Sequence, residues 1–149
     1  MDTRYLDDLF PGQHFNTPGI TLTEADIIDF ALRYDPQPFH LDANAAANSP
    51  YGGLIASGFQ SLALCFRLFI QSGMLAESSM GSPGIDELRW LAPVRPGDTL
   101  HTEIEVIEVR PSKTKPDRGI ARLRYHAVTQ RSEVGVTLII NHLLRRRTA

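Results

Sequence analysis

Residues 54–70 read LIASGFQSLALCFRLFI and form the most apolar part of the chain. From Phe59 onward, apolar side chains cover most faces of a helix, and the main polar interruptions are Gln60 and Arg67. A helix that is apolar on most of its surface is typical of one buried inside a protein. It is too short, and Arg67 lies too near its middle, for a membrane span. We therefore predict one long buried helix, ending near Gly73, at the centre of the fold.

The chain after this helix alternates between apolar and polar residues, which is the pattern of half-buried strands. The apolar positions of three predicted strands are Leu100, Thr102, Ile104 and Val106, then Ala121, Leu123, Tyr125 and Ala127, then Val134, Val136, Leu138 and Ile140. Shorter strands are predicted at residues 13–17 and 86–91, and turn-forming residues at 93–98 and 111–117 separate the strands. Because helical segments precede consecutive strands, we predict an α+β fold in which about five antiparallel strands wrap around the buried helix.

Two helices are predicted before the buried one. Thr23 is a good N-cap for a helix that runs to about Tyr34 and ends there, because a proline two residues later disfavours helical geometry. Asp42 can cap a second, short helix at residues 43–47. The first helix therefore leads the chain directly into Asp35.

The composition is that of one globular domain spanning residues 1–149. Apolar residues make up 42% and charged residues 21% of the chain, which argues against disorder. The single cysteine, Cys65, excludes an internal disulfide and fits a reducing compartment. The acidic N-terminus lacks the basic and then apolar order of a signal peptide, and no apolar run is long enough to span a bilayer. These observations predict a soluble cytoplasmic protein.

Charge is unevenly distributed along the chain, although the net charge is only −2. Acidic residues dominate residues 1–50 and basic residues dominate residues 110–149. A basic region can meet phosphate groups, but we favour the interpretation that most of these arginines lie on the solvent faces of strands. No predicted helix carries a basic stripe, so we predict no nucleic-acid binding. The arginines at 145–147 are predicted to form a solvated tail.

The segment Asp35-Pro36-Gln37-Pro38-Phe39-His40 holds a carboxylate and an imidazole on either side of two prolines. Each proline fixes its own φ and pushes the preceding residue toward extended geometry, so we predict a stiff, non-helical segment. Such a segment can direct Asp35 and His40 into one space, where they share a water. Asp-Pro also opens ordinary turns, and a histidine is often simply packed in place, so spacing alone leaves both interpretations open.

Ser57-Gly58 lies at the start of the buried helix and is a candidate oxyanion site. The first N–H groups of a helix have no internal acceptor, and the helix dipole adds positive potential there. A glycine lets a substrate carbonyl approach this backbone closely. The alternative is that Ser57 only caps the helix and that Gly58 only permits close packing.

The remaining reactive side chains carry weaker signals. His40, Asp42 and Asp35 lack a third metal ligand at a diagnostic spacing, so we predict no metal site. Cys65 lies within the buried helix and is predicted to be an inert core thiol. The other four histidines are predicted to be at the surface of strands, and they are His14, His101, His126 and His142.

These segments together resemble the MaoC-like dehydratases, which include the (R)-specific enoyl-CoA hydratases of the hotdog fold. The family pattern is an apolar helix end, then Asp-x-Asn-Pro-Leu-His-x-Asp, a helix of small residues and an Ile-x-x-Gly segment. The corresponding residues here are 30–34, 35–42, 43–47 and 54–58, and residues 88–100 resemble the family's strand entering the sheet. The resemblance covers most of the chain, and its Asp-to-His segment with the downstream glycine is fairly specific.

The resemblance implies a role for each site residue. Asp35 and His40 would activate one water that adds across a trans-2-enoyl thioester, and the Gly58 N–H would stabilise the enolate oxygen, with Ser57 beside it. Gln37 replaces the family's usual Asn, and this longer amide would orient Asp35 or the water from a shifted position. No metal or redox cofactor is implied. Phe39, which replaces the family's usual Leu, and Phe59 and Trp90 either fill acyl space or belong to the core.

The predicted substrate is an acyl-CoA, and the predicted assembly is a homodimer or a dimer of dimers, because an exposed edge strand favours pairing with a second copy. The coenzyme A phosphates would meet Arg89, Arg95, Lys113 or Lys115, and the sequence does not choose among them. Two other functions stay open on the same fold. One is a thioesterase, whose water attacks the carbonyl carbon, and the other is a subunit that binds an acyl group without turnover.

Overall fold

The computed structural model describes residues 1–147. Its helices are α1 (Glu24–Tyr34), α2 (Pro38–Leu41), α3 (Ala43–Ala47) and α4 (Gly58–Ile70), and its strands are β1 (His14–Asn16), β2 (Ile20–Thr21), β3 (Gly84–Trp90), β4 (Thr99–Pro111), β5 (Arg118–Thr129) and β6 (Val134–Arg145). The strands form one antiparallel sheet in the order β1-β4-β5-β6-β3, with β2 also pairing with β4. The predicted α+β fold with an antiparallel sheet is confirmed.

Helix α4 packs across the three long strands and supplies the centre of the core. Cys65 and Phe69 are fully buried on its inner face, and the ring of Phe69 meets that of Tyr125 on β5 at 5.4 Å between centroids. The prediction that this helix is buried on most of its surface was wrong for the single chain. Its outer face leaves Phe59 60%, Phe66 40% and Ile70 39% exposed, because one curved sheet covers only one side of a helix.

The period-two alternation of the long strands continues further than predicted. On β6 it carries past Ile140 to His142, which is buried and lies 2.7 Å from the hydroxyl oxygen of Tyr125 through its Nε2. Burial lowers the pKa of His142 to about 4. The prediction that His142 is at the surface was therefore wrong, because its position in the alternation places it on the inner face of the sheet.

The uneven distribution of charge has a structural explanation. Arg146 and Arg147 pair with Asp7 and Asp8 at 2.9 and 2.8 Å, so the two ends of the described chain attract each other. Arg146 and Arg147 of the predicted solvated tail are 39% and 56% exposed, but they are held by the acidic N-terminal turn, which lies beside the end of β6. On the outer face of the sheet, Arg122 of β5 pairs with Glu108 of β4 and with Asp86 of β3, as the solvent-face interpretation requires.

Acid is expected to weaken the fold through Asp98, the carboxylate in the turn before β4. Burial alone raises the pKa of Asp98, but the guanidinium of Arg131 at 2.8 Å, the N–H of Arg95 and the amide of Gln130 outweigh this and hold it at about 2. Because this folded-state pKa lies below the ordinary value of 3.8, the stabilisation is complete above pH 4 and is lost as the pH falls toward 2.

We therefore expect Asp98→Asn to lower the free energy of unfolding at pH 7 by about 2 kcal/mol, with a difference from wild type that shrinks between pH 4 and pH 2. Urea unfolding at a series of pH values measures this. Asp29→Asn is the matched control, because Asp29 is exposed and its contact with Arg33 is 3.6 Å long. A difference for Asp98→Asn that stays constant down to pH 2 would contradict the assignment.

Candidate active site

The end of α1 and the start of α2 place the two candidate catalytic side chains. Helix α1 begins at a capping box in which Thr23 accepts from the N–H of Asp26, and it ends at Tyr34, as predicted. The prediction that residues 35–40 contain no helix was wrong, since Pro38 opens the single helical turn α2. Proline is well suited to the first helical position, where its missing N–H has no partner to lose. The turn directs His40 back toward Asp35.

Asp35 and His40 form a close pair. Oδ2 of Asp35 lies 3.2 Å from Nε2 of His40, and the side chains are 15% and 4% exposed. Nδ1 of His40 lies 2.7 Å from the carbonyl oxygen of Ile55. A carbonyl oxygen can only accept, so Nδ1 carries the proton and Nε2 is the ring atom that can gain or lose one. The two side chains that the sequence singled out are therefore brought together with Nε2 available for proton transfer.

Two further side chains hold the carboxylate of Asp35. The hydroxyl of Ser57 donates to Oδ2 at 2.7 Å, and the amide of Gln37 donates to Oδ1 at 2.7 Å. Partial burial raises the pKa of Asp35, but these two hydrogen bonds and the charge of His40 outweigh it, and the pKa lies below its ordinary value. The longer amide of Gln37 thus still reaches Asp35.

A cavity of about 530 Å³ opens in front of this pair. Asp35, His40 and Gly58 all line it, so the acid, the imidazole and the first residue of α4 share one space. No acceptor within residues 1–147 takes the N–H of Gly58. The remaining lining is mostly apolar, and it consists of Gln37, Phe39, Tyr51, Ile55, Ala56, Phe59, Ser61, Trp90, Leu91, Ala92, Pro93 and Val94.

Ser57 occupies a different place from the one expected for a residue beside the substrate. It is completely buried and is absent from the cavity lining, and its hydroxyl is directed at Asp35. It also caps α4 by accepting from the N–H of Phe59 at 3.3 Å.

Aromatic side chains form the wall of the cavity. Phe39 packs between His40 and Tyr51, with ring centroids at 4.6 and 5.3 Å. Phe59 and Trp90 meet at 5.8 Å and are both exposed, so neither is a plain core residue. Tyr51 was not singled out from the sequence, and its place in the loop between α3 and α4 is the signal that it could reach the site.

Asp42 and Cys65, the other reactive side chains considered from the sequence, have structural roles outside the cavity. Asp42 caps α3 through the N–H groups of Asn44 and Ala45, and no group of three metal-ligating side chains occurs within residues 1–147. Burial raises the pKa of Cys65 to about 12, consistent with an inert core thiol. No helix in this described part is long and apolar enough to cross a membrane.

The candidate basic residues are also separated. Arg95 donates to the carbonyl oxygen of Tyr51 at 2.6 Å and so lies beside the cavity wall. Lys113 lies in the loop between β4 and β5, where it lines a separate groove with Arg110 and Arg118.

The antiparallel sheet with a helix packed against one face is the hotdog fold. Residues 8–127 match the sequence profile of the MaoC like domain, and the chain belongs to this family of MaoC-like dehydratases. It is similar to a MaoC-like dehydratase from Rhodospirillum rubrum, with 38% identity, a TM-score of 0.90 and coverage of 98% of this chain and 99% of that one.

Two other similarities extend this comparison. The R-hydratase PhaJ1 from Pseudomonas aeruginosa is 27% identical, with a TM-score of 0.74 and coverage of 97% of this chain and 91% of that one. The uncharacterized protein YdeM of Bacillus subtilis is 34% identical over 110 residues, which span 74% of this chain and 78% of that protein.

Proposed function

We propose that this protein is a hydratase that adds water to a trans-2-enoyl-CoA, or removes water from the corresponding 3-hydroxyacyl-CoA. The observation that carries the proposal is the convergence of Asp35, His40 and the free N–H of Gly58 on one cavity. Membership of the MaoC-like family and similarity to an R-hydratase support the same reaction class. No metal or redox cofactor is required by this chemistry.

In the proposed reaction, the Asp35–His40 pair activates the water. Water is a poor nucleophile, so a base must take its proton as the oxygen attacks. Nε2 of His40 accepts that proton, and the adjacent carboxylate of Asp35 stabilises the imidazolium that forms. The water oxygen bonds to C3, the C2=C3 electrons move toward the thioester carbonyl, and His40 returns the proton to C2. The product is a 3-hydroxyacyl thioester.

The start of α4 supplies the complementary charge. Negative charge develops on the thioester oxygen, and the N–H of Gly58 donates to it from the positive end of the helix dipole. One such donor contributes about 3–4 kcal/mol in enzymes where it has been removed by mutation. The absence of a Cβ at this residue lets the indole of Trp90 pack against the first turn of α4, where it forms part of the cavity wall.

The test incubates the purified protein with a series of trans-2-enoyl-CoAs of increasing chain length and follows the loss of the conjugated-enone absorbance. Hydration of at least one member is expected. Release of free thiol without hydration would instead indicate a thioesterase, and tight binding without either reaction would indicate a non-catalytic acyl-CoA subunit. The hydrogen bond from Gln37 to Asp35 argues against a non-catalytic subunit. Although Gln37 replaces the Asn that is usual in the family, its amide still holds the carboxylate of Asp35.

The proposed enzyme is a homodimer or a dimer of dimers. Within residues 1–147, β3 pairs with β6 alone, so its other edge is open to a strand of a second copy. The exposed outer face of α4 presents Phe59, Phe66 and Ile70, and the ring of Phe59 meets that of Trp90 on β3 at 5.8 Å. A second copy would cover both features at once.

We therefore expect a solution mass that is an even multiple of the 16.6 kDa of one chain, measured by light scattering during gel filtration. Phe66→Glu combined with Ile70→Glu should lower that mass, because it places charge on the apolar face. Leu32→Glu is the control, since Leu32 is also an exposed apolar residue, at 65%, but lies on α1. A wild-type mass of one chain would contradict the dimer.

A further inference from the structure

Ser57 makes one hydrogen bond that helix capping does not require. Its hydroxyl donates to Oδ2 of Asp35 at 2.7 Å, although the two residues are 22 positions apart. A hydroxyl has one proton to donate and two lone pairs that accept, so the same oxygen can also accept from the N–H of Phe59. One buried side chain thus joins the first turn of α4 to the carboxylate.

The hydrogen bond from Ser57 is made to Oδ2, the same carboxylate oxygen of Asp35 that faces His40. Oδ2 receives the hydroxyl of Ser57 and also faces Nε2 of His40 at 3.2 Å. The terminal torsion of an aspartate is broad, so a carboxylate with fewer fixed donors can rotate away from its partner. Asp35 is the C-cap of α1, and its N–H donates to the carbonyl of Ala31, so its backbone is held but its side-chain torsion is not fixed by the helix. The Ser57 hydroxyl therefore restrains the rotation that would separate Asp35 from His40.

The same bond links the two halves of the site. Gly58, which lines the cavity, directly follows Ser57 in the chain. A displacement of the α4 terminus therefore moves the Ser57 hydroxyl as well, and with it the carboxylate. A second hydrogen bond joins α4 to α1, because the side-chain amide of Gln60 on α4 donates to the carbonyl oxygen of Asp26 on α1 at 3.1 Å.

We propose that Ser57 is a positioning residue that acts through Asp35. It fixes the position of the Asp35–His40 pair relative to the start of α4. This inference rests on the proposed hydratase function. The alternative role, that Ser57 only caps α4, predicts a loss of stability without a specific effect on turnover.

Ser57→Gly separates the two roles, because glycine at an N-cap costs only a few tenths of a kcal/mol compared with serine. We expect kcat for enoyl-CoA hydration to fall about 10- to 100-fold, with KM within about twofold, since a hydrogen bond to a charged group is lost. Ser57→Thr retains a hydroxyl and should recover most of the rate. Ser78→Ala is the control, because Ser78 is equally buried and donates to the carbonyl of Arg4 far from the cavity.

The pH dependence provides a readout that capping would not move. Loss of a donor to the carboxylate raises the pKa of Asp35, so the part of the acid limb in which Asp35 itself takes up a proton should move to higher pH in Ser57→Gly. A wild-type kcat together with an unmoved acid limb in Ser57→Gly would overturn the proposal.

A direct titration of Asp35 distinguishes this inference from the proposed function. Carbon NMR of the Asp35 carboxyl group should show a midpoint at higher pH in Ser57→Gly than in the wild type or in Ser78→Ala. This measurement needs no turnover, so it reports on Ser57 even if the wild type hydrates no enoyl-CoA. An Asp35 midpoint unchanged by Ser57→Gly would show that the serine only caps the helix.

Discussion

Replacement of His40 with Ala, or of Asp35 with Asn, is expected to lower kcat for hydration about 10³-fold or more. His40→Ala removes the ring nitrogen that faces Asp35 at the cavity and is proposed to take a proton from water, and general acid–base groups contribute about 10² to 10⁴ in rate. Asp35→Asn keeps the size of the side chain but removes the charge that stabilises the imidazolium. Steady-state kinetics with the best enoyl-CoA of the series measures both effects, and circular dichroism checks that folding is retained.

The chain contains a matched control for this pair. His101 and Glu103 on β4 lie at the same 3.2 Å separation between Nε2 and Oε1, but they are partly exposed and outside the cavity. His101→Ala and Glu103→Gln should leave kcat within about twofold of the wild type, because neither residue lines the cavity. The fold should also be retained, because exposed pairs of this kind contribute little to stability. Near-normal rates in both Asp35→Asn and His40→Ala would mean that any hydratase activity resides elsewhere.

Local rules predicted most of the elements from the sequence. The N-cap at Thr23 and the cap at Asp42 gave the starts of α1 and α3, because capping depends on residues only two or three positions away. Alternation gave the three long strands for a similar reason. Extending the same alternation beyond Ile140 would also have predicted that His142 is buried on the inner face of the sheet.

Errors arose where distant parts of the chain decide the outcome. Two prolines argued against any helix before His40, yet a proline at the first position of a turn is favourable once the surrounding structure calls for that turn. The apolar surface of α4 predicted burial on most sides, but within one chain only its inner face is buried, because the sequence pattern does not show which faces the sheet covers. Burial of a helix face is a property of the assembly.

The residues of the candidate site could be selected from the sequence, but their contacts could not. Asp35, His40 and Gly58 were selected because they match the pattern of the MaoC-like family, since spacing alone left ordinary turn and packing roles open. The hydroxyl of Ser57 could be assigned to capping from its neighbours, but its bond to Asp35 depends on how α1 and α4 pack. Trp90 is a similar case, since an aromatic residue on an edge strand gives no sign of the helix it will meet.

Gly58→Ala is expected to disable the site by displacing Trp90. A Cβ at this residue would lie 2.6 Å from Cε2 of the Trp90 indole and closer still to Nε1. Ordinary van der Waals contact needs at least about 3.4 Å, so one of the two groups must move. Helix α4 is packed across the sheet, whereas Trp90 is 47% exposed, so the indole moves. The cavity then loses its wall beside the oxyanion donor, and the new methyl group obstructs the carbonyl.

We expect kcat/KM to fall about 100-fold, because small misplacements of a substrate carbonyl have effects of this size. Stability should change little, since alanine is favoured over glycine within helices by up to about 1 kcal/mol. Trp90 is the only tryptophan in the chain, so its fluorescence reports the displacement directly. Gly84→Ala is the control on the strand that carries Trp90, because a Cβ there meets nothing within 4 Å.

The double variant Gly58→Ala with Trp90→Ala separates the two causes of the loss. If the displaced indole is the main obstacle, removing it should restore part of kcat/KM, whereas a methyl group that blocks the carbonyl should keep the rate low in both variants. A Gly58→Ala protein with wild-type fluorescence and wild-type kcat/KM would show that the substrate oxygen binds away from the first turn of α4. The proposed position of the thioester would then be wrong, even if Asp35 and His40 still act as the acid–base pair.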